Sequence, residues 1–183
     1  MPKKAIYRKT YYRPKWSLNV TNSIATAASV AATQISIAQE SLIANPSRTR
    51  ATGDANSVSS AVLKAGRIRY KGVISSTMSA GQSAIIAIVY LPELINAATT
   101  AINYADIGNT VFYSHPEWVM AWTRVDFTNA AQRNEVSLYS RLKRNLNPGD
   151  RIVLLLMNIN ASSATSAPAI DLTGTCTYVV RNN

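Results

Sequence analysis

Between Ser83 and Leu91 the chain reads SAIIAIVYL, a run without charge that is apolar at odd and even positions alike and is closed by Pro92. Successive residues of a strand point to opposite faces, so such a run has to be covered on both sides, and Pro, which has no N–H to give, ends its ladder. The segment is therefore expected to be a central strand of a layered β domain. Arg151 to Asn158 reads the same way.

Lys64 to Ile74 is different in kind. Arg67, Arg69 and Lys71 fall on one side and Ile68, Tyr70 and Ile74 on the other, the period-two pattern of a half-buried strand whose open face is cationic. Ser137 to Arg144 alternates too, with Leu138 and Leu142 against Tyr139, Arg141 and Lys143. Further strands are expected over residues 33–43, where Val30, Thr33, Ile35 and Ile37 outweigh a competing helical spacing, and over Leu172 to Val180. Val111 to Phe127 is read as one or two strands around His115-Pro116. Asn147-Pro148-Gly149-Asp150 is a tight turn, with Pro where φ is fixed and Gly where φ must be positive. Ser47 to Ser60 and Asn160 to Pro168 are loops, and Glu93 to Thr110 is a long connection with room for a short helix. About eight strands, no long helix and no fixed-period repeat predict an all-β fold. The expected form is an eight-stranded antiparallel jelly-roll sandwich of two four-stranded sheets, over residues 21–183, behind a basic arm at residues 1–20.

That arm is where the charge is uneven. Of 19 Lys and Arg against 9 Asp and Glu in 183 residues, Lys3, Lys4, Arg8, Lys9, Arg13 and Lys15 crowd into the first 16 positions. They alternate with Tyr7, Tyr11, Tyr12 and Trp16, and no acid precedes Glu40. Clustered cations neutralise phosphates and release counterions, while aromatic faces stack unpaired bases. A merely solubilising tail leaves four aromatic rings without a purpose. The strand ladder of Arg67, Arg69 and Lys71, with cations about 6 to 7 Å apart, suits a phosphate backbone equally; its alternative is an ordinary solvated face.

Other classes of function find little support. The lone His115 sits against Pro116, the lone Cys176 is expected to be a small buried hydrophobe, and the nine acids are scattered. No phosphate-binding loop, dinucleotide fingerprint or zinc motif occurs, so neither catalysis nor a cofactor nor a metal is expected. Asp54 with Asn56 offers too few oxygens for calcium. No run approaches the roughly 18 apolar residues of a membrane helix. The start lacks the apolar core of a secretory signal, although an acid-poor, Arg-containing start also describes organellar transit peptides. Asn19-Val20-Thr21 and Asn160-Ala161-Ser162 match the glycosylation sequon, which matters only on secretion.

Three segments carry a resemblance. IAIVYLPE (Ile86 to Glu93), HPEWVMAW (His115 to Trp122) and SRLKRNLNPGDRIVLLL (Ser140 to Leu156), in this order and spacing, resemble capsid proteins of small circular single-stranded DNA viruses, the circovirus-like group. The likeness covers roughly residues 60–183, and its last motif is the most specific. The arm is similar too, though many relatives carry a longer, Arg-dense one. The resemblance implies a jelly-roll subunit that assembles with copies of itself, sixty in the usual arrangement, around circular single-stranded DNA. It further implies residence in the virion and, during assembly, the host nucleus, with a host receptor of unknown kind and no membrane. The expected nucleic-acid contacts are the six arm cations, together with Arg67, Arg69 and Lys71 and secondarily Arg141, Lys143 and Arg144, these two strand groups facing the interior. Phe112, Tyr113, Trp118 and Trp122 are divided between the core and subunit contacts. Competing readings are a satellite-like particle enclosing RNA, a cellular β-rich module for single-stranded nucleic acid, and a sandwich lectin or adhesion domain.

Overall fold

The computed structural model describes residues 16–45, 62–77, 81–128, 133–160 and 166–182. Its strands are β1 (Ser17–Ala27), β2 (Val30–Ala31), β3 (Gln34–Ala44), β4 (Leu63–Ser75), β5 (Gln82–Leu91), β6 (Thr99–Asn103), β7 (Val119–Phe127), β8 (Arg133–Ser140), β9 (Arg144–Leu146), β10 (Arg151–Asn160), β11 (Ser166–Ala167) and β12 (Ile170–Asn182). The eight long ones form two antiparallel layers, β1-β12-β4-β8 and β3-β10-β5-β7. β9 adds to β4, β6 flanks β3, and β2 pairs with β11. The first and last strands are neighbours, and nearly every connection crosses between layers, which is the winding of a jelly roll.

The two layers are covered differently, and burial explains why their sequences differ. Ala84, Ile86 and Ile88 of β5 and Ile152, Leu154 and Leu156 of β10 point between the sheets, against Ile68, Tyr70, Ile74, Leu138 and Leu172. The alternate residues Ile85, Ala87, Val89, Val153, Leu155 and Met157 point away and meet Phe112, Ala97 and Trp118 in a second cluster. The connection from β5 to β7 supplies that cover, so β5 and β10 are apolar throughout, as expected. Among the described residues no such cover lies on the outer face of β1-β12-β4-β8, where Arg67, Arg69 and Lys71 are exposed between the buried Ile68 and Tyr70.

Several expectations need correction. Residues 111–114 form a single helical turn, α1 (Val111–Ser114), and are not a strand. Ser114 donates N–H and hydroxyl to the carbonyl of Thr110, and the turn drops Phe112 onto the sheet beneath. His115 caps that turn, as a turn residue should. The connection after Pro92 holds β6 and a 3-10 segment at Tyr104–Asn109. β8 ends at Ser140, so Arg141, Leu142 and Lys143 lie outside the ladder, and Leu142 is 50% exposed and does not join Leu138 in the core. β1, which takes in Ser17 to Val20, had no place in the sequence reading because its pattern is inverted. It turns small Ser23, Ala25 and Ala27 inward and leaves Leu18, Val20 and Ile24 exposed. No helix among the described residues is long and apolar enough to cross a membrane.

The Asn147–Asp150 turn forms as read: Asp150 N–H bonds the Asn147 carbonyl at 3.0 Å, and Gly149 has φ of +93°. A Cβ at this position would also meet the end of the exposed Glu93 side chain, which would have to turn aside, so the positive φ is what favours Gly here. Asp150 is 4% exposed, and its carboxylate accepts the Tyr90 hydroxyl at 2.7 Å and the backbone N–H groups of Asn147 at 2.8 Å and Glu93 at 3.1 Å.

Burial pushes the Cys176 thiol from 9.0 up to about 12. Burial, followed by the hydrogen bond to Asp150, pushes Tyr90 from 10.0 up to about 12. Both groups hold their protons more tightly folded than unfolded, so their contribution is complete below about pH 9 and is lost as pH climbs towards 12. Urea midpoints followed from neutral pH upwards should therefore fall across this window. Cys176→Ala should flatten the lower part of that fall.

Candidate nucleic-acid interface

Strand register sets the uncovered face in columns. β1 presents Leu18, Val20 and Ile24, and β12 presents Thr173, Thr175 and Thr177. β4 presents Arg69 and Lys71, and β8 presents Tyr139, Ser137 and Glu135. Thr177, Arg69 and Tyr139 form one row, and Thr175, Lys71 and Ser137 the next. Arg69 and Lys71 thus each stand between a hydroxyl and a second polar side chain. Ser and Thr hydroxyls can add neutral hydrogen bonds to phosphate oxygens held by the cations.

Above these rows β4 carries a bulge. Thr177 pairs with Arg69 but Val179 pairs with Gly66, so β4 has one residue more than β12 over this stretch. The extra residue shifts the phase: Leu63 and Ala65 face inward before it, and Ile68 and Tyr70 after it. Arg67 takes up the change with φ of +43°, a left-handed backbone that costs an L-residue roughly 1–2 kcal/mol. A bulge re-aims a side chain, and this one sends Arg67 outward opposite the break in β8 where Arg141 and Lys143 leave the sheet.

Three hollows run along this line. One of about 570 Å³ is lined by Trp16, Gly66, Arg67, Tyr139, Arg141 and Lys143. The next, of about 680 Å³, shares Arg67, Tyr139 and Arg141 and adds Arg69 and Thr177. A third, of about 660 Å³, reaches from Arg69 and Lys71 to Glu135. Two ion pairs occur among the described residues, His115–Glu117 and Arg124–Asp126, and neither involves a cation of the face. The acids of the face, Glu135 and Asp171, lie towards its far end, and Asp171 accepts the Thr26 hydroxyl at 2.7 Å.

The structure thus brings Arg67, Arg69, Lys71, Arg141 and Lys143 into one trough. It does not bring Arg144 there. As the first residue of β9, Arg144 has its guanidinium 5.6 Å from the Tyr90 ring centre and donates to the Glu117 carbonyl. Lys3, Lys4, Arg8, Lys9, Arg13 and Lys15, with Asp54 and Asn56, lie outside the described residues. Trp16, expected as one of the arm's stacking rings, lies at this site; Tyr139 and Arg181 are residues that sequence reasoning left out of it, the last with its guanidinium 4.9 Å from the Trp16 ring centre. Tyr139 had a sequence signal in its alternation with Leu138; Arg181 had none, because only the pairing of β12 brings it to residue 16.

The remaining candidates sit elsewhere. His115 lies 3.1 Å from Glu117 and stacks on Trp118 with ring centres 3.9 Å apart. The Glu117 carboxyl is held below its usual range by its own backbone N–H and then by His115. Phe112 is buried, edge-on to Tyr113 and Trp122, which are 44% and 58% exposed.

No family model matches the chain, and no curated protein matches it. Among solved structures it is similar to a chain in a semi-empty VLP of the giant freshwater prawn Macrobrachium rosenbergii nodavirus, at 8% identity and TM-score 0.37, over 98% of this chain and 90% of that one. Maize chlorotic mottle virus gives 13% identity and TM-score 0.36, over 88% and 92%. Eiger TNF from S. frugiperda gives 10% identity and TM-score 0.32, over 86% and 91%. Likenesses this slight carry no argument about what the chain does.

Proposed function

We propose that the chain is a viral capsid protein whose copies close into a shell and hold single-stranded nucleic acid against the outer face of the β1-β12-β4-β8 sheet. One observation carries the reading. Of two sheets wound as a jelly roll, one has its outer face covered by the chain's own connection, and the other, among the described residues, is left without such cover and carries a cationic trough with no ion pair. A trough of this kind contacts phosphates without reading sequence, which is what enclosing a whole genome requires. Apolar surface left exposed on β1 and at Tyr113 and Trp122 supplies the material for contacts between copies.

The finer reading, taken from the three motifs, is a sixty-copy shell around circular single-stranded DNA, assembled in the host nucleus. Six arm cations per copy then bring about 360 charges to the interior, and the trough adds to them. The test is to purify the assembled protein, extract its nucleic acid and digest it. Loss to DNase with survival of RNase supports the DNA reading, the reverse gives an RNA particle, and a small species without nucleic acid overturns the proposal.

A further inference from the structure

The end of the trough at the β4 bulge differs from the rest, because it is lined by aromatic rings as well as cations. Trp16 is 38% exposed and Tyr139 48% exposed, and both rings border the hollow of about 570 Å³, within the roughly 300–1,000 Å³ of ligand pockets. Gly66 forms part of its wall: a Cβ there would lie 3.5 Å from the Trp16 ring and 3.2 Å from the Lys143 side chain. Arg181 sits 4.9 Å from the Trp16 ring centre and Arg141 5.6 Å from that of Tyr139, while Arg141 Nε donates to the Tyr139 hydroxyl at 3.3 Å. The rings are thereby held in place and remain partly open to solvent.

We infer that this hollow is a nucleotide subsite, in which an unpaired base stacks on Tyr139 or Trp16 while its phosphates lie on Arg67, Arg141 and Lys143. The inference rests on the proposed function and deepens it. Cations alone hold any polyanion, duplex or single strand. An aromatic pocket adds a term that only an unstacked base can collect, so this end of the trough makes the protein prefer single strands. The left-handed Arg67 fits that role, since the bulge places its side chain between this hollow and the next one along β4, where successive phosphates would pass.

The test uses the full chain freed of co-purifying nucleic acid, with two probes of equal length and charge, oligothymidylate and its abasic counterpart. Oligothymidylate should bind about 5- to 140-fold more tightly, the range that stacking of one base gives. Tyr139→Ala and Trp16→Ala should shrink that ratio, through weaker binding of oligothymidylate. Tyr139→Phe, which keeps the ring, should retain it and so shows that a loss in Tyr139→Ala is not a loss of fold. Equal binding of the two probes by the unaltered protein, or a full ratio in both alanine variants, overturns the subsite and leaves the proposed function standing. Failure to bind either probe overturns both.

Discussion

Replacing Arg67, Arg69 and Lys71 together by Ala is expected, on the proposed function, to lower the nucleic-acid content of the particle while particle yield stays unchanged. The three side chains are exposed and, among the described residues, enter no ion pair and stand on a face that no other element covers. Their removal costs the core nothing, since Ile68, Tyr70 and Ile74 on the opposite face keep their packing. For every phosphate no longer neutralised, the slope of log affinity against log salt should become shallower by about 0.7 for a single strand, or about 2 for all three cations. Arg124→Ala is the matched control. That cation lies on the other sheet, tied to Asp126 at 2.8 Å, and its removal should leave both content and slope unchanged. Full encapsidation by the triple variant would remove the trough from the account.

Asp150→Ala is expected to be the most damaging single substitution at the turn that joins β9 to β10. The carboxylate collects three donors, the Tyr90 hydroxyl and the N–H groups of Asn147 and Glu93, in a site that is 4% exposed. Truncation leaves all three without their acceptor, at about 1–3 kcal/mol for each one that water cannot reach, so a loss of about 3–5 kcal/mol in urea unfolding is expected. Tyr90→Phe removes one bond and leaves no donor stranded, so it should cost only about 1 kcal/mol. Similar costs for the two variants would show that the carboxylate is not the organiser of this turn.

Much of the fold was legible because burial writes itself into period. SAIIAIVYL had to be covered twice, and it is: by the opposing sheet on one side and by α1 and its neighbours on the other. The alternation of Lys64 to Ile74 marked a sheet with one wet face, and the Pro148-Gly149 pair marked a turn whose positive φ the structure contains. Patterns that break the rule were missed. β1 buries alanines and a serine and exposes Leu18, Val20 and Ile24, so its polarity runs opposite to an ordinary surface strand. Val111 to Tyr113 carries strand-forming residues, but their task is to lay one ring on the sheet beneath, and a helical turn does this.

The site was legible to the same degree. Arg67, Arg69 and Lys71 could be placed on one face from spacing alone, and Arg141 and Lys143 could be named as basic companions. Their convergence depends on a bulge of one residue, which shifts phase at Arg67 and which no periodicity announces. Arg144, by contrast, begins the separate short strand β9 and turns towards Tyr90, which takes it out of the group to which its neighbours belong. Pairing between β1 and β12 across more than a hundred residues then delivers Arg181 to Trp16, a meeting of distant segments that composition cannot reveal.

The most direct measurement is electron cryomicroscopy of freshly purified protein, with the subunit fitted into the map. The account predicts a closed shell in which the β1-β12-β4-β8 face looks inward and polynucleotide density lies along Arg67, Arg69 and Lys71. A shell that turns this face outward, or particles no larger than a single subunit, would contradict it.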